Sequence, residues 1–282
     1  MVEIIIAFLL IFLIGCASLA GVLFLSVKEK TLDKILFYLV AFATGTILAT
    51  SIFDLIPESI HGFEELVGDG FFIEEDMYLL FVIIMIGFIT FFVLERFIYW
   101  FHGHAHEEEK EKFVCYDTFG KQVEIERESG KGKKIALLNL IGDALHNLLD
   151  GIIIMVSFLQ NIGLGIVVTI AVFIHEIPQE IGDFGILLYG GFTKKKALLA
   201  NFASAMIAIL GGLIALGLSS TIASFNTFFL GFSAGGFIYI GGVELMPELL
   251  KEKNLKRSIV QSIIFFGGIA TVFILLRILP HV

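Results

Sequence analysis

The sequence predicts an all-α polytopic membrane protein, with eight transmembrane helices in a 3+2+3 arrangement built on an inverted repeat. Three observations carry this. The 282 residues are 57% hydrophobic and 17% charged, with a mean hydropathy of +0.93, whereas soluble domains run near ~25% charged. Apolar runs of at least the ~20 residues that a bilayer crossing needs fall at 4–27, 34–57, 78–101, 135–158, 163–190, 197–218, 226–249 and 259–279. Two of these runs share the same polar punctuation. Such a composition excludes a cytosolic globular protein and a disordered chain, and it leaves no room for a sizeable extramembrane domain. Residues 1–282 therefore read as one transmembrane domain with a His-containing loop at 102–134.

The first run resembles a lipoprotein cleavage box at Leu13-Ile14-Gly15-Cys16, but it is preceded by Glu3 and by no Lys or Arg. An export signal needs a basic start, so a retained helix is expected. Cys16 sits in an apolar run and Cys115 in a charged loop, a placement that speaks against a disulfide.

The loops sort by charge. Lys28, Lys30 and Lys34, seven basic residues of 102–134, Lys194 to Lys196, and Lys251, Lys253, Lys256 and Arg257 all fall on one side. The opposite loops, 58–77, 159–162 and 219–225, contain no Lys or Arg. The positive-inside rule places both termini outside and loop 102–134 in the cytoplasm. The partner of these charges is the lipid bilayer, and no nucleic acid is expected.

Span 2 reads Phe42-Ala-Thr-Gly45 and ends Asp54-Leu-Ile-Pro57-Glu58; span 7 reads Phe232-Ser-Ala-Gly235 and ends Glu244-Leu-Met-Pro247-Glu248. One span is second from the start and runs outward, the other second from the end and runs inward. That is the pattern of an inverted repeat in a secondary transporter. It leaves spans 4 and 5 as a central pair. The matching prolines are expected to end their helices at the two mouths of one pathway, with Asp54 and Glu58 outside and Glu244 and Glu248 inside.

The central pair holds the costliest residues. Span 4 carries Asp143, His146, Asn147 and Asp150; span 5 carries His175, Glu176, Pro178, Gln179, Glu180 and Asp183. An ionisable group at mid-bilayer costs at least ~2.5 kcal/mol if left unpaired. His146 and Asp150 share a helix face, as do His175 and Gln179, so two facing helices would bring imidazoles, carboxylates and amide oxygens into one volume. Imidazole with carboxylate suits zinc or ferrous iron. Asp143 and Asp183 serve equally well as hydrogen-bonding groups between helices. Glu180 points away from the His175 face toward a structural pairing, and Asn201 and Ser204 on span 6 read as packing polar groups. Pro178 frees a carbonyl near Ile174 and lets the helix bend there.

His146-Asn147-Leu148-Leu149-Asp150-Gly151 and His175-Glu176-Ile177-Pro178-Gln179-Glu180 resemble the paired HNxxDG and HExPHE motifs of ZIP metal transporters, and Ile181-Gly182-Asp183-Phe184 fits the HExPHE subgroup. The resemblance covers all eight spans. It implies a one- or two-metal site formed by His146, Asn147, Asp150, His175, Glu176 and Gln179. It also implies Zn2+ as cargo, with Fe2+, Mn2+ or Cd2+ as alternatives, uptake into the cytoplasm across the cell membrane, and a homodimer. Spans 1, 4, 5 and 6 would move like an elevator against spans 2, 3, 7 and 8. Gln179 departs from the subgroup, which has His there; an amide oxygen is a weaker and harder ligand.

Two other classes fit parts of the pattern. HExxH on a helix marks zinc hydrolases, but Gln179 stands where the second His is required. Chains of Asp, Glu and His also relay protons in carriers of other substrates. In the loops, His102, His104 and His106 read either as a metal-binding segment or as a charged linker, and 113–126 alternates like a short hairpin. The seven carboxylates of 58–77 would concentrate divalent cations at the outer rim.

Overall fold

The computed structural model describes residues 2–20, 29–103, 110–116, 122–128, 131–222 and 224–279. Within them lie eight helices long and apolar enough to cross a membrane: α1 (Val2–Leu19), α2 (Lys34–Gly68), α3 (Glu74–Arg96), α4 (Ala136–Gln160), α5 (Ile162–Leu188), α6 (Lys194–Ser219), α7 (Phe225–Leu250) and α8 (Leu255–Ile278). Side-chain oxygens cap three of them. Asn161 accepts from the Leu164 N–H at 2.7 Å, Thr193 from Lys196, and Asn254 from Lys256 and Arg257. Each cap satisfies backbone donors that the first turn leaves orphaned.

Pro57 and Pro247 do not end their helices, contrary to expectation. In α2 a π-helical turn, Ser51–Leu55, leads directly into α-helix Ile56–Gly68; in α7 the π turn Ile240–Leu245 leads into Met246–Leu250. Each π turn restarts the α pattern, so that the proline falls in a first turn. A missing N–H costs no hydrogen bond there. Segment 58–77 is accordingly mostly helical, with a 3-10 turn at Glu74–Met77 closing it.

The expected hairpin is present. β1 (Lys110–Tyr116) pairs antiparallel with β2 (Gln122–Glu128), with Phe113 opposite Ile125. The helix that includes α3 extends to Gly103, so it contains the backbone of His102; His104 and His106 lie outside the described residues.

Glycine crossings organise the packing. A Cβ on Gly45 of α2 would lie 2.1 Å from the Phe265 carbonyl oxygen of α8, and one on Gly268 of α8 would lie 2.4 Å from that of Phe42. Gly235 of α7 and Gly87 of α3 approach each other's helices in the same reciprocal way, at 1.9 Å from Ile84 and Phe232. Gly151 of α4 and Gly211 of α6 form a third reciprocal pair, at 1.8 and 2.1 Å. Small residues allow backbones this close, and dispersion then holds the helices where lipid supplies no hydrophobic drive. The tight glycine contacts described keep within two sets, α1/α4/α5/α6 and α2/α3/α7/α8. A buried core including Val40, Ile47, Ile154, Met155, Val168 and Phe237 joins the sets, while α3 and α8 are the least buried spans.

Candidate metal centre

His146 and Asp150 stand one turn apart on α4, and His175 and Glu176 are neighbours on α5, so the crossing of these two helices brings all four together. Among the described residues these four form the group whose potential ligand atoms all lie within 4.8 Å of one another. His146 Nε2 is 3.3 Å from His175 Nε2, 3.6 Å from Asp150 Oδ2 and 3.3 Å from Glu176 Oε1. His175 Nε2 is 3.7 Å from Asp150 Oδ2 and 3.5 Å from Glu176 Oε1. A tetrahedral zinc with N and O ligands at about 2.0–2.1 Å sets those ligands about 3.3–3.4 Å apart. Five of the six edges of such a tetrahedron are therefore already approximated by these atoms.

The surroundings prepare these atoms as ligands. His175 Nδ1 lies 3.1 Å from the Ala171 carbonyl oxygen. That oxygen only accepts, so Nδ1 carries the proton and Nε2 presents its lone pair, an outer-shell contact typical of metal-binding imidazoles. Asp150 Oδ2 and Glu176 Oε1 are buried with no hydrogen-bond partner. Buried polar atoms are rarely left in this state, and a cation would satisfy both. Phe91 packs edge-on against His146 and Phe237 against His175. The His146 side chain is 13% exposed, against 3% or less for the other three.

The other expected residues fall in different places. Asn147 is buried, and its Nδ2 donates to Asp143 Oδ1 at 2.8 Å. Gln179 is half-buried and makes no hydrogen bond among the described residues. Glu180 accepts from Asn201 Nδ2, as the pairing expectation had it, and Ser204 Oγ donates to the Leu140 carbonyl. Asp183 accepts from Asn139 Nδ2 at 2.8 Å. Asn139 was not singled out from the sequence, although its spacing of four from Asp143 and eight from Asn147 puts the three on one helix face. Glu95, which accepts from the Tyr239 hydroxyl across α3 and α7, also went unnoticed; a lone acid in an apolar run was its signal.

The two proline-linked acid pairs differ in their surroundings. Asp54 is 4% exposed, with Oδ2 unpartnered, and Glu58 accepts from Asn161 Nδ2 at 3.5 Å. Glu244 is exposed, and Glu248 pairs with Lys251. On the Asp54 end, Ser219 and Asn226 also bond between α6 and α7, and Phe225, Phe229 and Phe232 stack in sequence along α7.

Helical spans around a buried cluster of imidazoles and carboxylates define a multi-pass membrane protein with a group of side chains that could hold a metal ion. Its family follows from the sequence match: residues 2–276 fit the family model described as ZIP Zinc transporter, and the chain belongs to that family. It is 30% identical over 285 residues to Zinc transporter YKE4 of Saccharomyces cerevisiae, covering 94% of this chain and 78% of that protein. It is also 30% identical over 306 residues to Zinc transporter zipt-7.2 of Caenorhabditis elegans, covering 93% and 63%. Identity to the Zinc transporter ZIP13 homolog of Drosophila melanogaster is 35% over 182 residues, covering 64% and 51%. The chain thus spans about half to two-thirds of the length of the last two relatives. The family is one of transporters, and the hydrolase alternative gives way to it.

Proposed function

We propose that this chain carries a divalent transition metal, zinc foremost, into the cytoplasm, and that His146, Asp150, His175 and Glu176 bind it in transit. The carrying observation is the set of five ligand-to-ligand distances between 3.3 and 3.7 Å. Asn147 and Gln179 stand beside this set as further ligands, reached by rotation of their side chains. Fe2+, Mn2+ and Cd2+ are alternative cargoes with the same geometric demand.

Alternating access is proposed as an elevator motion of α1/α4/α5/α6 against α2/α3/α7/α8. Support comes from the glycine crossings, which lock helices within each set. The described side-chain hydrogen bonds between the sets, Asn161 to Glu58 and Ser219 to Asn226, gather at one end. The loop charges assign that end to the outside. With Asp54 buried there and Glu244 exposed at the other end, the arrangement fits a state closed outside and open inside. An inverted relation between α2 and α7 accounts for the paired π turns and the paired reciprocal glycine contacts. The homodimer, the cell membrane, the external termini, the HExPHE subgroup and the cytoplasmic loop 102–134 complete the proposal. Cross-linking tests the dimer.

Purified chain in liposomes tests the function. Zn2+ and Cd2+ should enter, and a His175→Ala and Asp150→Ala double variant should pass neither. Undiminished flux in that variant would remove the site from the pathway.

A further inference from the structure

A small cavity lies against the metal centre, between α4 on one side and α3 and α7 on the other. Asp150, one of the four candidate ligands, lines it from α4. Its walls are otherwise apolar, with Ile153 of α4, Phe91 of α3 and Phe229 and Phe232 of α7 among them, except for Ser233 of α7. The cavity thus has two polar residues, one from each of the two helix sets. It has room for about one water molecule. Ile153, three residues beyond Asp150, lies on the side of the turn at Asn161, where the bond to Glu58 joins the two sets.

Ser233 is 5% exposed, yet its hydroxyl makes no hydrogen bond among the described residues. Buried hydroxyls in helices usually turn back onto a carbonyl one turn earlier, as Thr44 does onto Val40 at 2.7 Å and Thr169 onto Gly165 at 2.6 Å. Asp150 Oδ2 is also unpartnered, and it stands 3.6 Å from His146 Nε2 and 3.7 Å from His175 Nε2. A cation held by the four ligand atoms touches Asp150 and therefore borders this cavity. An ion stripped of water against aromatic walls is costly unless an oxygen replaces what it lost. Ser233 is the one residue of the α3 and α7 walls that offers such an oxygen.

We propose that the Ser233 hydroxyl is an entry-side ligand for the transported ion, passing it across the interface between the two helix sets to Asp150. The inference rests on the transport reading of the four-ligand site. A neutral hydroxyl replaces one water of the ion's shell without holding the ion as a carboxylate or imidazole does. Because α4 and α7 belong to different sets, relative motion of the sets changes the separation of Ser233 from Asp150, and the ion exchanges one oxygen for the other as they move. The aromatic walls leave it no competing ligand on the way.

The test is optical spectroscopy of Co2+ bound to the purified full-length chain in detergent, in a Cys16→Ser and Cys115→Ser background. A thiolate is a strong ligand for such metals, so adding Ser233→Cys should introduce a sulfur-to-Co2+ charge-transfer band in the near ultraviolet that the background lacks. In liposomes, Ser233→Ala should raise KM for Zn2+ uptake about threefold, the scale of one lost neutral polar contact, and by more than it lowers the maximal rate. Ser233→Cys should shift uptake preference from Zn2+ toward the softer Cd2+. The band is read without transport, so absence of flux in the parent chain would count against the transport reading alone. No sulfur band in Ser233→Cys, or a KM in Ser233→Ala equal to that of the parent, would overturn the role of Ser233.

Discussion

Asp54 and Glu244 each stand three residues before a proline and inside a π-helical turn, yet Asp54 is 4% exposed while Glu244 is not buried by neighbouring helices. Matching positions in two similar segments therefore meet different surroundings, and the transport proposal gives the two acids different roles. Asp54→Ala should chiefly weaken capture of metal from outside, raising KM for uptake. Glu244→Ala should chiefly slow release inside, lowering the maximal rate. Neither should abolish equilibrium zinc binding. Uptake kinetics beside binding isotherms check this; wild-type kinetics in both variants would contradict it.

The bond from Asn161 to Glu58 joins the turn between α4 and α5 to α2 just past Pro57. Under the proposed outward-closed state, its removal should open this end. In Asn161→Ala, a cysteine placed at position 54 should react several-fold faster with a membrane-impermeant thiol reagent applied from outside. A rate equal to that in the Asn161 parent would mean that the contact does not hold this end shut.

Gln179 stands one turn beyond His175 with no described hydrogen bond to hold it. Replacing it by His supplies an imidazole where an amide now stands, which should tighten zinc about tenfold, or ~1.4 kcal/mol, and shift preference toward softer metals. Competition between Zn2+ and Mn2+ uptake measures the shift. An unchanged metal ranking would show that this side chain never reaches the ion.

Gly151 lies so close to α6 that a Cβ would stand 1.8 Å from the Ala208 carbonyl oxygen, whereas Gly242 has nothing within 4 Å. Gly151→Ala should lower stability by at least the ~1–3 kcal/mol typical of overpacking. Gly242→Ala should be neutral or slightly stabilising. Thermal unfolding in detergent distinguishes them, and equal midpoints would refute the close crossing.

Span positions were legible because twenty-residue apolar runs leave few alternatives; α4, α5 and α7 begin and end within a few residues of expectation. The ligand candidates were legible because ionisable groups are scarce in such runs. Pro57 and Pro247 were not, since a proline normally marks a helix end and nothing in Ser51–Leu55 or Ile240–Leu245 announces a π turn. Asn147 illustrates a second limit: sequence puts it beside His146 but does not announce that its Nδ2 donates to Asp143, four residues earlier. Pairings such as Asn139 with Asp183 depend on how α4 crosses α5, and that crossing is set by packing along both helices.

X-ray absorption at the zinc edge, on the purified chain loaded with one Zn2+, tests the central claim most directly. A tetrahedral shell of four N and O atoms at about 2.0–2.1 Å should appear, two of them imidazole nitrogens, and His146→Ala should remove one imidazole. A six-coordinate oxygen shell, or two imidazoles persisting in His146→Ala, would contradict the assignment of His146, Asp150, His175 and Glu176 as the metal's ligands.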